Sequence, residues 1–131
     1  MSASWVTAAI EGASREVAIR IGAGHTLTAG PADDDREGAG APAPFDLMLA
    51  SLGACTAITL KQYAAARNWP LEVIEVDLEI VSRQSSTSVV RLLSLQGSLD
   101  PDQRESLLAL ADHTPVTLLL ARAVRIRTEL A

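Results

Sequence analysis

The stretch Leu47-Met48-Leu49-Ala50-Ser51-Leu52-Gly53-Ala54-Cys55-Thr56-Ala57-Ile58 constrains this chain more than any other. It offers no polar face when wound as a helix, and a helix that is apolar all round is a buried helix. The pattern predicts a helix from about Phe45 to Arg67, roughly 30 Å long. Asp46 falls in its first turn, where the helix dipole favours a carboxylate. Asn68 follows the last turn, and Pro70 prevents continuation. One small sheet can cover only one side of such a helix, so something else must cover the other. Ala50, Ala54 and Ala57 share a face at spacings of four and three, and small residues on one stripe let a second helix approach closely. The economical expectation is a homodimer in which this helix packs on its twin or on another central helix. The alternative is a monomer whose second helix covers the stripe.

Around that helix the chain reads mainly as strands. Val17, Ile19 and Ile21 alternate with Ala18 and Arg20, and a third short strand is expected over His25 to Ala29. Gly30 to Pro44 is rich in Gly, Pro, Ala and Asp and reads as a long loop, of a length that is usually functional or mobile. After the helix, Val73 to Val81 alternates an acidic face (Glu75, Asp77, Glu79) with an apolar one. Ser82 to Ser88 reads as a rather long polar turn, and Val89 to Leu99 as the returning strand. Asp100 as N-cap and Pro101 at the first helical position open a second helix that ends near His113. A short segment, Val116 to Ala121, follows, and Val124 to Leu130 alternates again, predicting a last strand. Strands outnumber helices without alternating regularly with them, so the expected class is α+β, in a single domain over 1–131.

Composition narrows the function. Of 131 residues, 48% are hydrophobic, which fits a packed globule rather than a disordered chain. The net charge is −5 with scattered basic residues, which speaks against nucleic acid. Lys61 interrupts the longest apolar run, so no membrane span is expected, and without a secretion-signal pattern a cytoplasmic location is. The sequence holds one cysteine, which excludes an internal disulfide. With only His25 and His113 besides, no metal cluster is expected, and Asp33, Asp34 and Asp35 read as a solvated loop without a calcium-site pattern. No cofactor is implied.

The block Pro42-Ala43-Pro44-Phe45-Asp46-Leu47 through Gly53-Ala54-Cys55-Thr56-Ala57 resembles the signature of the OsmC/Ohr family: a proline, an acid, an aliphatic run, then small-small-Cys. Tyr63, Arg67 and Trp69-Pro70-Leu71 resemble the family's helix end, and Asp112-His113-Thr114-Pro115-Val116 the stretch that holds its second cysteine. The resemblance covers most of the chain from about Gly22. It implies an intertwined homodimer with antiparallel sheets around long central buried helices and sites at the dimer interface. It also implies thiol-dependent reduction of organic hydroperoxides, in which one cysteine attacks the peroxide and a second resolves the sulfenic acid. Cys55 maps onto the attacking position and Asp46 onto the assisting acid. Arg36, or alternatively Arg20, would be the assisting cation. The second-cysteine position holds Thr114, which cannot form a disulfide.

Two functions follow as expectations. In the first, Cys55 is a single-cysteine peroxidase that an external thiol reduces. The attacking form must be the thiolate. Cys55 lies well beyond the first helical turn, so the dipole helps little, and its apolar neighbours would oppose ionisation. Activation would need a cation nearby: Arg36, Arg20, or a protonated His25 or His113. In the second, the protein is a non-catalytic relative that binds a small apolar ligand or senses oxidant at an interface pocket. A lone cysteine on an apolar helix is, on composition alone, more often structural.

Overall fold

The computed structural model describes residues 5–32, 40–122 and 124–131. Asp33, Asp34, Asp35 and Arg36 lie outside the described residues. The chain forms two compact units, residues 1–48 and 49–131.

The first unit is built on an antiparallel meander of β1 (Val6–Ala9), β2 (Val17–Ile21) and β3 (His25–Ala29). The expected period of two holds: Ile19 is paired with Ala8 on one side and Leu27 on the other, while Arg20 lies between Thr7 and Thr26. Gly22 makes the second turn at φ +57°, a backbone conformation that costs glycine little. Gly30 N–H donates to Pro42 O at 3.1 Å, so the two ends of the long loop meet. At the end of this unit the first turn of α1 (Pro44–Ala66) begins. Proline stands at its first position, and Asp46 Oδ2 accepts the Ala43 N–H at 3.1 Å. That is the third-position half of a capping box, in which an acid satisfies the backbone donor that precedes the helix.

The second unit contains the rest of α1, then the hairpin β4 (Val73–Arg83) and β5 (Ser86–Gln96), then α2 (Pro101–Ala111) and α3 (Pro115–Ala121). Helix α1 closes with Asn68 at φ +57°, Asn68 N–H on Ala65 O and Trp69 N–H on Ala64 O. This is a full Schellman motif with asparagine in the left-handed position. Trp69 packs edge-on against Tyr63 at 5.6 Å between centroids, and the Arg67 guanidinium lies 3.4 Å over the Tyr63 ring. Helix α2 starts with both halves of a capping box: Asp100 accepts from Gln103 N–H, and Gln103 accepts from Asp100 N–H.

The core gathers Leu60, Ala64, Leu71, Leu99, Leu107 and Ala111, with Leu93 and Leu95 of β5 against it. In α1 the buried residues are Leu52, Thr56, Leu60 and Ala64, a stripe at spacings of four. Gly53 faces Leu78, where a Cβ would come within 2.9 Å of Leu78 Cδ1, so its small size serves the approach of helix to hairpin. The remaining circumference is not covered within this unit. Ala50 and Ala54 are exposed, as is Ile58.

Two expectations are corrected. The hairpin turn is not a long loop over Ser82 to Ser88: Arg83 pairs with Ser86, leaving only Gln84 and Ser85 to turn. Gln84 takes the left-handed conformation at φ +55°, and Ser82 and Thr87 face each other with hydroxyls 3.3 Å apart. A solvated ribbon needs no apolar residues to pair, so polarity misleads there. The last apolar alternation does not make a strand. Residues 124–131 have no regular structure, with Val124, Ile126 and Leu130 exposed. An apolar face does not suffice for a strand, because its backbone groups also need an adjacent edge. The segment Val116 to Ala121, for which the sequence predicts no element type, is helical, with Thr114 as N-cap and Pro115 at its first position.

Candidate functional site

Strand β5 carries a charged residue among apolar ones: Val89-Val90-Arg91-Leu92-Leu93. Alternation puts Arg91 on the face of Val89 and Leu93, which with Ile74, Val76, Leu78 and Ile80 of β4 forms the inward side of the hairpin. The Arg91 side chain is 13% exposed. A guanidinium cannot lose its charge in such a place, so its N–H groups must find acceptors. One terminal nitrogen donates to Thr56 Oγ1 at 3.0 Å and to Thr117 Oγ1 at 2.8 Å. The other donates to Ala111 O at 2.7 Å. That carbonyl is one of the last of α2, where the helix leaves acceptors unpaired and a cation is favoured. Asp112 Oδ1 is 3.5 Å away, but its side chain is 80% exposed, so this ion pair neutralises little.

The hydroxyls around Arg91 have a consistent set of directions. Thr56 O–H donates to Leu52 O at 2.7 Å, leaving its lone pairs to Arg91. Thr117 O–H donates to Ala111 O at 3.2 Å and accepts from Arg91, so Thr114 O–H donates to Thr117 Oγ1 at 2.6 Å. Thr56 and Thr114 are fully buried. A cavity of about 500 Å³ opens beside this network, and Arg91, Thr117, Leu52, Leu93, Leu108 and Leu120 are among its lining.

Cys55 is half-buried, one helical step from Thr56 and so turned about 100° from the Arg91 network. Among the described residues its thiol has no hydrogen-bond or ionic partner, and Cys55 does not line the 500 Å³ cavity. Asp46 stands in the first turn of α1 with its carboxylate on the Ala43 N–H. Arg36 lies outside the described residues. Arg20 is exposed on β2 and His25 opens β3, also exposed. His113 is exposed past the end of α2, with Nδ1 3.2 Å from Ala109 O, the placement a helix C-terminus favours. Thr114 is in the network rather than beside a thiol. Among the described residues no group of three or more His, Cys, Asp or Glu is arranged to hold a metal ion, and no helix is long and apolar enough to cross a membrane.

Arg91, Thr56 and Thr117 were not among the residues singled out from sequence. The signal was there: a charged residue at an inward position of an apolar strand needs partners, and Thr56, Thr117 and the Ala111 carbonyl supply them.

The chain is of the α+β class, with two antiparallel sheets and a long helix that carries a cysteine midway along it. Residues 34–129 match the family described as OsmC-like protein, and the chain belongs to that family. Solved structures agree on the fold. An OsmC-like protein from Mycoplasma pneumoniae superposes with a TM-score of 0.75 at 13% identity, covering 92% of this chain and 88% of the other. The organic hydroperoxide resistance protein OsmC from Legionella pneumophila gives 0.68 at 18% identity, covering 92% and 90%. The organic hydroperoxide resistance protein OhrB of Bacillus subtilis gives 0.65 at 20% identity, covering 90% of each chain. A comparison with curated proteins gave no match.

Proposed function

We propose that this protein reduces organic hydroperoxides through Cys55 in a one-cysteine cycle. The observation that supports this reading is the single cysteine of an OsmC-like chain, half-buried midway along α1. Similarity to proteins named for organic hydroperoxide resistance gives the substrate class. The Cys55 thiolate attacks a peroxide oxygen, the O–O bond breaks, and the alkoxide leaves as an alcohol after taking a proton. Cys55 is then a sulfenic acid. With no second thiol in the chain, an external thiol condenses with it, releasing water, and a second thiol frees Cys55 as the external disulfide forms. A reducing compartment such as the cytoplasm supplies such thiols. Asp46 and Arg36 are the assisting groups this reading requires. It also pairs the chain with a second copy across the exposed face of Ala50, Ala54 and Ile58.

The second reading is a binding protein without turnover. It is favoured by the cavity of about 500 Å³ beside Arg91, which Cys55 does not line. Mass analysis of the Cys55 peptide after exposure to cumene hydroperoxide separates the two. The enzyme gives rapid stoichiometric sulfenic acid and turnover with added thiol, both lost in Cys55→Ser. A cysteine that stays reduced leaves only the binding protein.

A further inference from the structure

We propose that the cavity beside Arg91 is a binding site for a medium-chain aliphatic carboxylate, with the carboxylate on the guanidinium and the chain along Leu52, Leu93, Leu108 and Leu120, on the apolar part of a lining that also holds Thr87, Ser88 and Asp112. The proposal does not depend on the reactivity of Cys55, which is not among the lining residues.

Three observations meet here. The first is charge. Arg91 is 13% exposed, and its one acidic partner among the described residues is a carboxylate 3.5 Å away that is 80% exposed. The other acceptors are two hydroxyls and a carbonyl, which are neutral. The site is therefore well supplied with hydrogen bonds but poor in compensating charge, which is the state that an incoming monoanion corrects.

The second is directional. Thr56 and Thr117 occupy one terminal nitrogen and Ala111 O takes a proton of the other, fixing the guanidinium plane. The described residues offer no acceptor to the Nε–H, and the Asp112 contact is at the limit of hydrogen-bond length. The edge formed by Nε and the second terminal nitrogen is thus the one left for a carboxylate. Asp112, 80% exposed, lines the same cavity, and a bound carboxylate would take its place on this edge. The network explains how an arginine can be held ready at the site: Thr56 and Thr117 orient it at no cost to its charge.

The third is the apolar surface around the opening. Leu108 is 60% exposed, Leu120 44% and Val89 37%, all of them lining the cavity. Large aliphatic side chains gathered around a charged floor match an amphipathic ligand, whose chain would take them out of water. A cavity of about 500 Å³ lies in the ordinary range for small-molecule sites. An inorganic anion would leave the leucines in water, and a neutral alkane would leave Arg91 uncompensated.

The test is calorimetric titration of the whole protein with decanoate, decanol and acetate. Saturable binding of one decanoate per chain is expected, with decanol and acetate each at least tenfold weaker. Arg91→Gln is expected to weaken decanoate at least tenfold. Because that change also removes hydrogen bonds inside the fold, Leu108→Asp serves as a second probe. It places a negative charge at an exposed position of the rim, and is expected to weaken decanoate at least tenfold with an unchanged melting temperature. Cys55→Ser is expected to bind as the wild type does, so loss of peroxide chemistry and loss of this site are told apart. Equal binding of decanol and decanoate overturns the proposal, as does undiminished binding by folded Leu108→Asp. Absence of saturable decanoate binding by the wild type overturns it too, whether the cavity stands empty or a second copy covers it.

Discussion

At the scale of residues, Thr56 and Thr114 are both fully buried, yet they are not equivalent. Thr56 accepts directly from a charged donor, whereas Thr114 bonds to another hydroxyl. A hydrogen bond to a charged group contributes about 1.5–3 kcal/mol, a neutral one about 0.5–1.5 kcal/mol. Thr56→Val should therefore destabilise the protein by about 2 kcal/mol and Thr114→Val by about 1 kcal/mol in urea unfolding. The reverse order would mean that Arg91 is not held as described. The Thr114 hydroxyl, through Thr117, completes the polar network around an arginine.

At the scale of elements, the caps were the most legible features. Asp100 and Pro101 open α2 where sequence places them, and Asn68 with Pro70 closes α1. These are local signals, set by residues within a turn of one another. Three things were not legible, each because it depends on distant partners. The two-residue turn at Gln84-Ser85 depends on how far a polar ribbon stays paired. The absence of a strand over 124–130 depends on whether an edge is on offer. Arg91 acquires its role only when Thr56, Ala111 and Thr117 converge on it, and their separations in sequence hide that. Gly97 is a fourth case. It sits at φ +141° after β5, and a Cβ there would lie 1.9 Å from Pro70 O, backbone that cannot step aside. Gly97→Ala should cost at least about 2 kcal/mol, from strain and displacement together. A thermal melt within a degree of the wild type would refute the close approach of these two segments.

At the scale of the whole molecule, one face of α1 is exposed. Its buried stripe faces the hairpin and α2, while Ala50, Ala54 and the 56%-exposed Ile58 do not. On the reading that a second copy covers them, sedimentation of the wild type at micromolar concentration should give a dimer. Ile58→Asp should give a folded monomer, because the charge costs little on a face already in water and much in an apolar interface. A wild type that sediments as a monomer removes the second copy from the account. The same molecule also shows how much of its architecture one side chain joins. Arg91 links β5, α1, the end of α2 and α3. At seven residues α3 is too short to hold as an isolated helix. Amide hydrogen exchange should then report α3 as an opening unit of its own, released in Arg91→Gln while the α2 amides keep their protection.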